Sequence, residues 1–182
     1  ERESFIGPIP VVFSLHATKS IGTGEGGCVA TNDIGLATSI GQRLNFGFHF
    51  TRECQVASTN GKMSEYHAAV GLAELDRWTE KQSAFARVLA NYRESASIAG
   101  LSRQLMTAPG LCSSYVLFHC DSLPQSMRVQ DFLRNHRIEF RLWYGMGLQQ
   151  QPYFANCPAD PLPVNKALAP RLLGLPMAPD LS

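Results

Sequence analysis

The sequence predicts an α/β fold. Short β-branched apolar runs alternate with stretches of helical spacing, glycine and proline clusters punctuate them, and 45% hydrophobic against 17% charged residues is a globular balance. A chain of 182 residues can bury roughly 70% of its unfolded surface as one or two domains.

Val11-Val12-Phe13 is the first apolar run, predicted as a buried strand ending near Ser14. Thr23 to Gly27 is too glycine-rich for anything but a loop or tight turn. Cys28 to Thr31 predicts the next strand, and Asn32-Asp33 closes it as a turn. Ile34, Ala37, Ile40 and Leu44 share a helical face, so 34–44 is predicted as a helix. The stretch from Phe46 to Gly61 is irregular and aromatic. Ser64 has the character of an N-cap, with Glu65 in the first turn behind it.

Tyr66, Val70, Ala73, Phe85, Leu89 and Tyr92 mark a long helical signal to about Ser97, with a change of phase near Trp78-Thr79 that predicts a break. A domain boundary is expected within that helix, around residues 75–95. Beyond it, Tyr115 to His119 predicts a strand, Val129 to Asn135 a helix, and Ile138 to Tyr144 another strand. Proline turns follow at Pro152, Pro158, Pro161 and Pro163. A last helix is predicted over Lys166 to Leu173, leading into Leu175-Pro176-Met177.

Bulk charge narrows the function classes. Sixteen Lys and Arg face fifteen Asp and Glu, so no basic excess points to nucleic acid. The first residues carry mixed charge and two prolines, unlike a secretory leader, and no apolar run approaches the ~20 residues of a membrane span. The five cysteines are odd in number and form no C-x-x-C pair. Reduced thiols in a cytoplasmic protein are therefore expected, with no disulfide framework and no metal site.

The informative segment is Ser14-Leu-His16-Ala-Thr18-Lys19-Ser-Ile-Gly22-Thr-Gly24-Glu25-Gly26-Gly27. Gly22, Gly24 and Gly27 match the G-x-G-x-x-G dinucleotide pattern, but that pattern must open a helix, and Cys28 to Thr31 is strand-like. Taken with Asn60-Gly-Lys62-Met-Ser64-Glu65-Tyr-His67-Ala-Ala-Val70-Gly-Leu72 and with Leu175-Pro-Met177 ahead of Asp180-Leu-Ser182, the segment resembles the DegT–StrS family of pyridoxal-phosphate-dependent sugar aminotransferases. The likeness covers nearly the whole chain.

That resemblance implies a partial PLP-dependent transferase fold of the aspartate-aminotransferase kind. Residues 1–72 would be a remnant of the large cofactor domain, and 73–182 a linking helix and a small C-terminal α/β domain. It implies pyridoxal 5′-phosphate as cofactor, Lys19 as the catalytic lysine bound to it, Ser14 as a hydroxyl donor to its phosphate, and Asn60 as a donor to the partner subunit's phosphate. A homodimer with shared active sites follows. The implied reaction moves an amino group from glutamate or glutamine to a nucleotide-linked keto-deoxysugar.

The residue types suit that chemistry. A free lysine amine, with a pKa of about 10.4, is mostly protonated and inert until its surroundings lower that value. His16 and His67 are expected to pack rather than react, and Glu65 could cap its helix or face the cavity. Arg43, Arg52 and Arg141 could bind a nucleotide diphosphate or be solvated surface. Gln149 stands where the family often has a histidine.

The chain begins close before Lys19. The family's ring-stacking aromatic, the aspartate at the ring nitrogen and a phosphate-binding helix N-terminus are therefore expected to lie outside it. The alternatives are a truncated, inactive aminotransferase remnant and a dinucleotide-binding module, the latter requiring a helix directly after Gly27.

Overall fold

A computed structural model describes residues 7–142 and 145–181. The chain divides into two compact units, the first running to Trp78 and the second starting at Thr79.

In the first unit, strand β1 (Val11–Ser14) pairs antiparallel with β2 (Gly27–Ala30), Ser14 opposite Gly27. The strand after Gly27 removes the helix that a dinucleotide fingerprint would need. β1 is not buried as its composition predicts: Val12 is 76% exposed. The physical reason is topological, since a ribbon of two strands leaves both faces open unless a further layer covers them.

Helix α1 spans Ile34–Leu44 as its spacing predicts, and Asp33 caps it by accepting the Leu36 N–H at 2.9 Å. Helix α2 (Glu65–Asp76) starts at the cap Ser64, which accepts the His67 N–H at 3.2 Å. The predicted break falls at Arg77, whose N–H reaches the Ala73 and Leu75 carbonyls as α2 ends. Helix α3 runs from Trp78 to Ile98.

The second unit is built on an antiparallel sheet of order β3-β4-β6-β5. These strands are Leu105–Met106 (β3), Tyr115–His119 (β4), Arg141–Leu142 (β5) and Leu172–Pro176 (β6). In β4, buried Val116 and Phe118 alternate with half-buried neighbours, the two-residue period of a half-covered sheet. Phe85, Val88 and Leu89 of α3 pack with Val116 and Met177, while Phe118, Cys120 and Leu173 form a second buried cluster. Each fully buried Leu or Val contributes about 1.5–3 kcal/mol. The Tyr92 hydroxyl donates to the Pro176 carbonyl at 2.6 Å and ties α3 to β6.

Helix α4 (Leu123–Asn135) begins a turn and a half before the predicted Val129, because Ser122 caps it and Pro124 fits its first turn. Its Ser126 hydroxyl donates to the Pro170 carbonyl at 2.8 Å and accepts from Gln130 Nε2 at 3.1 Å. The predicted strand at 138–144 is reduced to β5, with 143 and 144 outside the described residues. The last predicted helix is corrected as well. Helix α5 covers only Pro163–Leu168, and a 3-10 turn at Ala169–Arg171 leads into β6. Pro170 has no N–H to continue a helix, and Leu173 instead gains complete burial by pairing with β4.

No described helix is long and apolar enough to cross a membrane. All five cysteines are free thiols, and burial pushes the Cys120 thiol above its ordinary range.

Candidate functional site

The β1–β2 ribbon ends in an irregular loop that carries Lys19. Beyond the Ser14–Gly27 pair, the Leu15 N–H donates to the Gly26 carbonyl at 2.9 Å and the Ala17 N–H to Gly24 at 2.7 Å. The ladder thus continues to the tip without regular strand geometry. At the tip, the Lys19 N–H donates to the His16 carbonyl at 2.9 Å, closing a turn that leaves the lysine side chain exposed. Among the described residues, nothing pairs with its amine.

Thr23 holds the loop from inside and is 2% exposed. Its N–H donates to the Leu15 carbonyl at 2.8 Å, and its hydroxyl stands 2.9 Å from the Glu25 carbonyl and 3.2 Å from that of Leu15. Helix α2 presses on the same loop: a Cβ on Gly71 would lie 3.0 Å from Thr23 Cγ2. His67, on the first turn of α2, lies against Gly24, with its Nδ1 3.0 Å from the Ser64 hydroxyl. Sequence reading passed over Thr23 and left His67 as packing. A threonine inside a glycine loop signals little, since its partners here are carbonyls that only the folded loop brings round.

Ser14 ends β1, and its oxygen accepts the His16 N–H at 3.4 Å, a long contact that leaves the hydroxyl proton available. Ser14 and Lys19 therefore share one ribbon end. Asn60 stands elsewhere in the unit, paired through its backbone with Asn45 at the end of α1. No hydrogen bond joins Asn60 to Ser14 or Lys19 among the described residues. Its carboxamide oxygen accepts from Lys62 Nζ at 2.7 Å.

His16 is exposed rather than packed, with Nδ1 3.0 Å from the Thr18 hydroxyl and Nε2 3.7 Å from a Glu25 carboxylate oxygen. Glu65 is exposed in the first turn of α2, where its charge suits the helix dipole. Arg43 donates to the Ala57 carbonyl at 3.0 Å, and Arg52 is exposed.

In the second unit, Arg141 is exposed, and a hydrogen bond with the Tyr115 side chain raises its pKa further. Gln149 is half-buried, its Nε2 donating to the Met146 carbonyl at 2.8 Å and to Asn165 Oδ1 at 2.9 Å. Both donors of that amide are engaged, so Gln149 clips its loop to α5.

An exposed, unpaired primary amine, a serine hydroxyl with a free proton on the same ribbon end and a loop hydrogen-bonded through buried Thr23 behind them fit an aldehyde cofactor carrying a phosphate. Comparison with known proteins agrees. Residues 9–182 match the sequence profile of the DegT/DnrJ/EryC1/StrS aminotransferase family. Protein Rv3402c of Mycobacterium tuberculosis is 33% identical over 178 residues, covering 93% of this chain and 43% of that protein. A solved Bacillus cereus protein, assigned as a PLP-dependent aminotransferase, superposes with a TM-score of 0.88 at 28% identity over 100% of this chain and 50% of its own. DesI, solved in the presence of its TDP-sugar product, matches with a TM-score of 0.81 and 32% identity, covering 95% of this chain and 45% of DesI. The chain thus spans about half the length of the relatives it matches.

Proposed function

The chain belongs to the DegT/DnrJ/EryC1/StrS aminotransferase family, whose cofactor is pyridoxal phosphate, and from that premise we propose that it is the lysine-bearing part of a nucleotide-sugar aminotransferase. The architecture is a partial PLP-dependent aminotransferase fold of mixed helix and sheet. We assign residues 1–72 to the large cofactor domain and 73–182 to the linking helix and small C-terminal domain. The amino donor is glutamate or glutamine, and the acceptor a keto-deoxysugar on a nucleotide, a reading supported by the similarity to DesI, which was solved with its TDP-sugar product.

Lys19 would hold the cofactor through Nζ; its exposed side chain on the turn closed by the His16 carbonyl supports that reading. When bound, the cofactor supplies an electron sink for the substrate carbon that loses its proton. Lys19 Nζ is the atom that would accept that proton and return it, which requires the amine to be neutral in the working site. Ser14 would donate its hydroxyl to the cofactor's phosphate. Asn60 would do the same for the partner subunit's cofactor, which makes the working unit a homodimer. Thr23 and His67 touch none of these atoms and act by keeping the loop in shape.

The single observation that carries the reading is the unpaired Lys19 amine at the tip of a loop braced by buried Thr23. Incubation with pyridoxal phosphate, borohydride reduction and peptide mapping should place the label on Lys19. A label on Lys62 or elsewhere, with Lys19 unmodified, overturns the assignment.

A further inference from the structure

We propose that His16 is a positioning residue for Lys19: its imidazole, held in one tautomer, clamps the lysine turn to the returning arm of the loop and so fixes where the amine is presented. The proposal rests on the assignment of Lys19 above.

Each polar group of His16 serves a different neighbour. Its N–H donates to Ser14 Oγ at 3.4 Å, and its carbonyl accepts the Lys19 N–H at 2.9 Å. Its Nδ1 accepts the Thr18 N–H at 3.3 Å and lies 3.0 Å from the Thr18 hydroxyl. Its Nε2 stands 3.7 Å from a Glu25 carboxylate oxygen on the other arm. The flanking residues cross the loop by backbone, Leu15 to Gly26 and Ala17 to Gly24. His16 between them uses its backbone on Ser14 and Lys19 and crosses with its ring. Ser14 and Lys19, the two residues assigned to one cofactor, are thereby joined through a single residue.

The donors decide the tautomer. A backbone N–H can only donate, so Nδ1 must present its lone pair to Thr18. The neutral ring then carries its proton on Nε2, facing Glu25. A proton on Nδ1 would set two donors against each other and release the turn. Glu25 is itself held, since its carbonyl accepts from the hydroxyl of buried Thr23 at 2.9 Å. The His16 and Glu25 side chains are 48% and 77% exposed, and contacts so exposed add little to global stability. Their effect is local: they restrict the Ser14-to-Lys19 backbone before the amine is used, which lowers the ordering cost of using it.

The test uses the full chain. Long-range ¹⁵N–¹H correlation of the wild-type imidazoles at pH 8 should show His16 with its proton on Nε2. His16→Ala and Glu25→Ala should each quicken hydrogen exchange of the Lys19 amide, while the urea midpoint stays at the wild-type value. Labelling of Lys19 by pyridoxal phosphate and borohydride should slow about three- to tenfold in His16→Ala, the effect of roughly one lost hydrogen bond, with the other lysines labelled as before. His16→Asn should recover part of that rate, because an asparagine oxygen can still accept the N–H two residues on.

A proton on Nδ1, Lys19 exchange unchanged in either alanine variant, or a labelling loss that follows the urea midpoint overturns the clamp. So does an asparagine variant no faster than the alanine one. If Lys19 takes no label in the wild type, the lysine assignment falls by itself. The clamp is then decided by the imidazole and amide resonances alone.

Discussion

The imidazole of His67 occupies the space that Gly24 leaves open: a Cβ at Gly24 would stand 3.3 Å from both Cδ2 and Nε2 of the ring. Gly24 also has φ +91, where a side chain is strained whatever the space around it. One glycine therefore lets α2 close on the lysine loop. Gly24→Ala should cost roughly 1–2 kcal/mol and lower hydrogen-exchange protection of the Ala17 and Thr23 amides. Unchanged protection at both amides would show that the contact braces nothing.

Thr23→Val keeps the volume and removes the hydroxyl that serves the Glu25 and Leu15 carbonyls. Since Thr23 is buried, a loss of about 1–3 kcal/mol in urea unfolding is expected, with faster exchange of the Lys19 loop. Thr23→Ser should recover most of it. Equal stability of all three proteins would count against the loop account.

The proposed sharing of active sites between two copies of the chain predicts complementation. Lys19→Ala and Asn60→Ala proteins should each bind pyridoxal phosphate poorly, Asn60→Ala by about tenfold, because a hydrogen bond to a charged group contributes ~1.5–3 kcal/mol. Mixing them after mild dissociation should restore part of the wild-type binding, as a mixed dimer owns one intact site. No recovery, with heterodimers shown by mass spectrometry, would place Asn60 in its own subunit's site or in none.

Leu173 is completely buried on the central strand β6, so Leu173→Ala should destabilise the second unit by about 2–5 kcal/mol. Calorimetry that shows a loss below 1 kcal/mol would mean the cluster around it relaxes freely.

Burial raises the Tyr92 pKa above the ordinary tyrosine value, and the hydroxyl donates to the Pro176 carbonyl. The folded state therefore favours the protonated phenol. Its contribution is fully present below pH ~10 and is lost as the pH rises through the elevated folded value. Tyr92→Phe should cost about 1 kcal/mol at neutral pH and flatten the alkaline limb of the stability profile. An alkaline limb identical to wild type would exclude Tyr92 as its source.

Much of the local structure was legible in residue order, because local forces set it. Ser64 caps its helix as read, through a hydrogen bond within three residues, and the apolar spacing of 34–44 marks a helix; Asp33, read only as part of a turn, turns out to cap it. Lys19 and Ser14 stand as candidates because Ser14-x-His16-x-Thr18-Lys19 resembles the family's motif, a resemblance that needs no coordinates. What stayed hidden depends on partners distant in sequence. Leu172 and Leu173 read as helix until Pro170 stops α5 and β4 offers a strand to pair with.

Lys62 was given no role in the sequence, and it is the fold that sets its ammonium 4.0 Å from the centroid of the Phe46 ring. The sequence by itself carried the family, the cofactor and the candidate lysine, through the resemblance of its short motifs to those of the family. Only tertiary structure decided that Thr23 and His67 brace the loop and that Lys62 donates to the Asn60 carboxamide oxygen. Hydrogen bonds and ring contacts of that kind need atoms within a few ångströms, and it is folding that sets those distances.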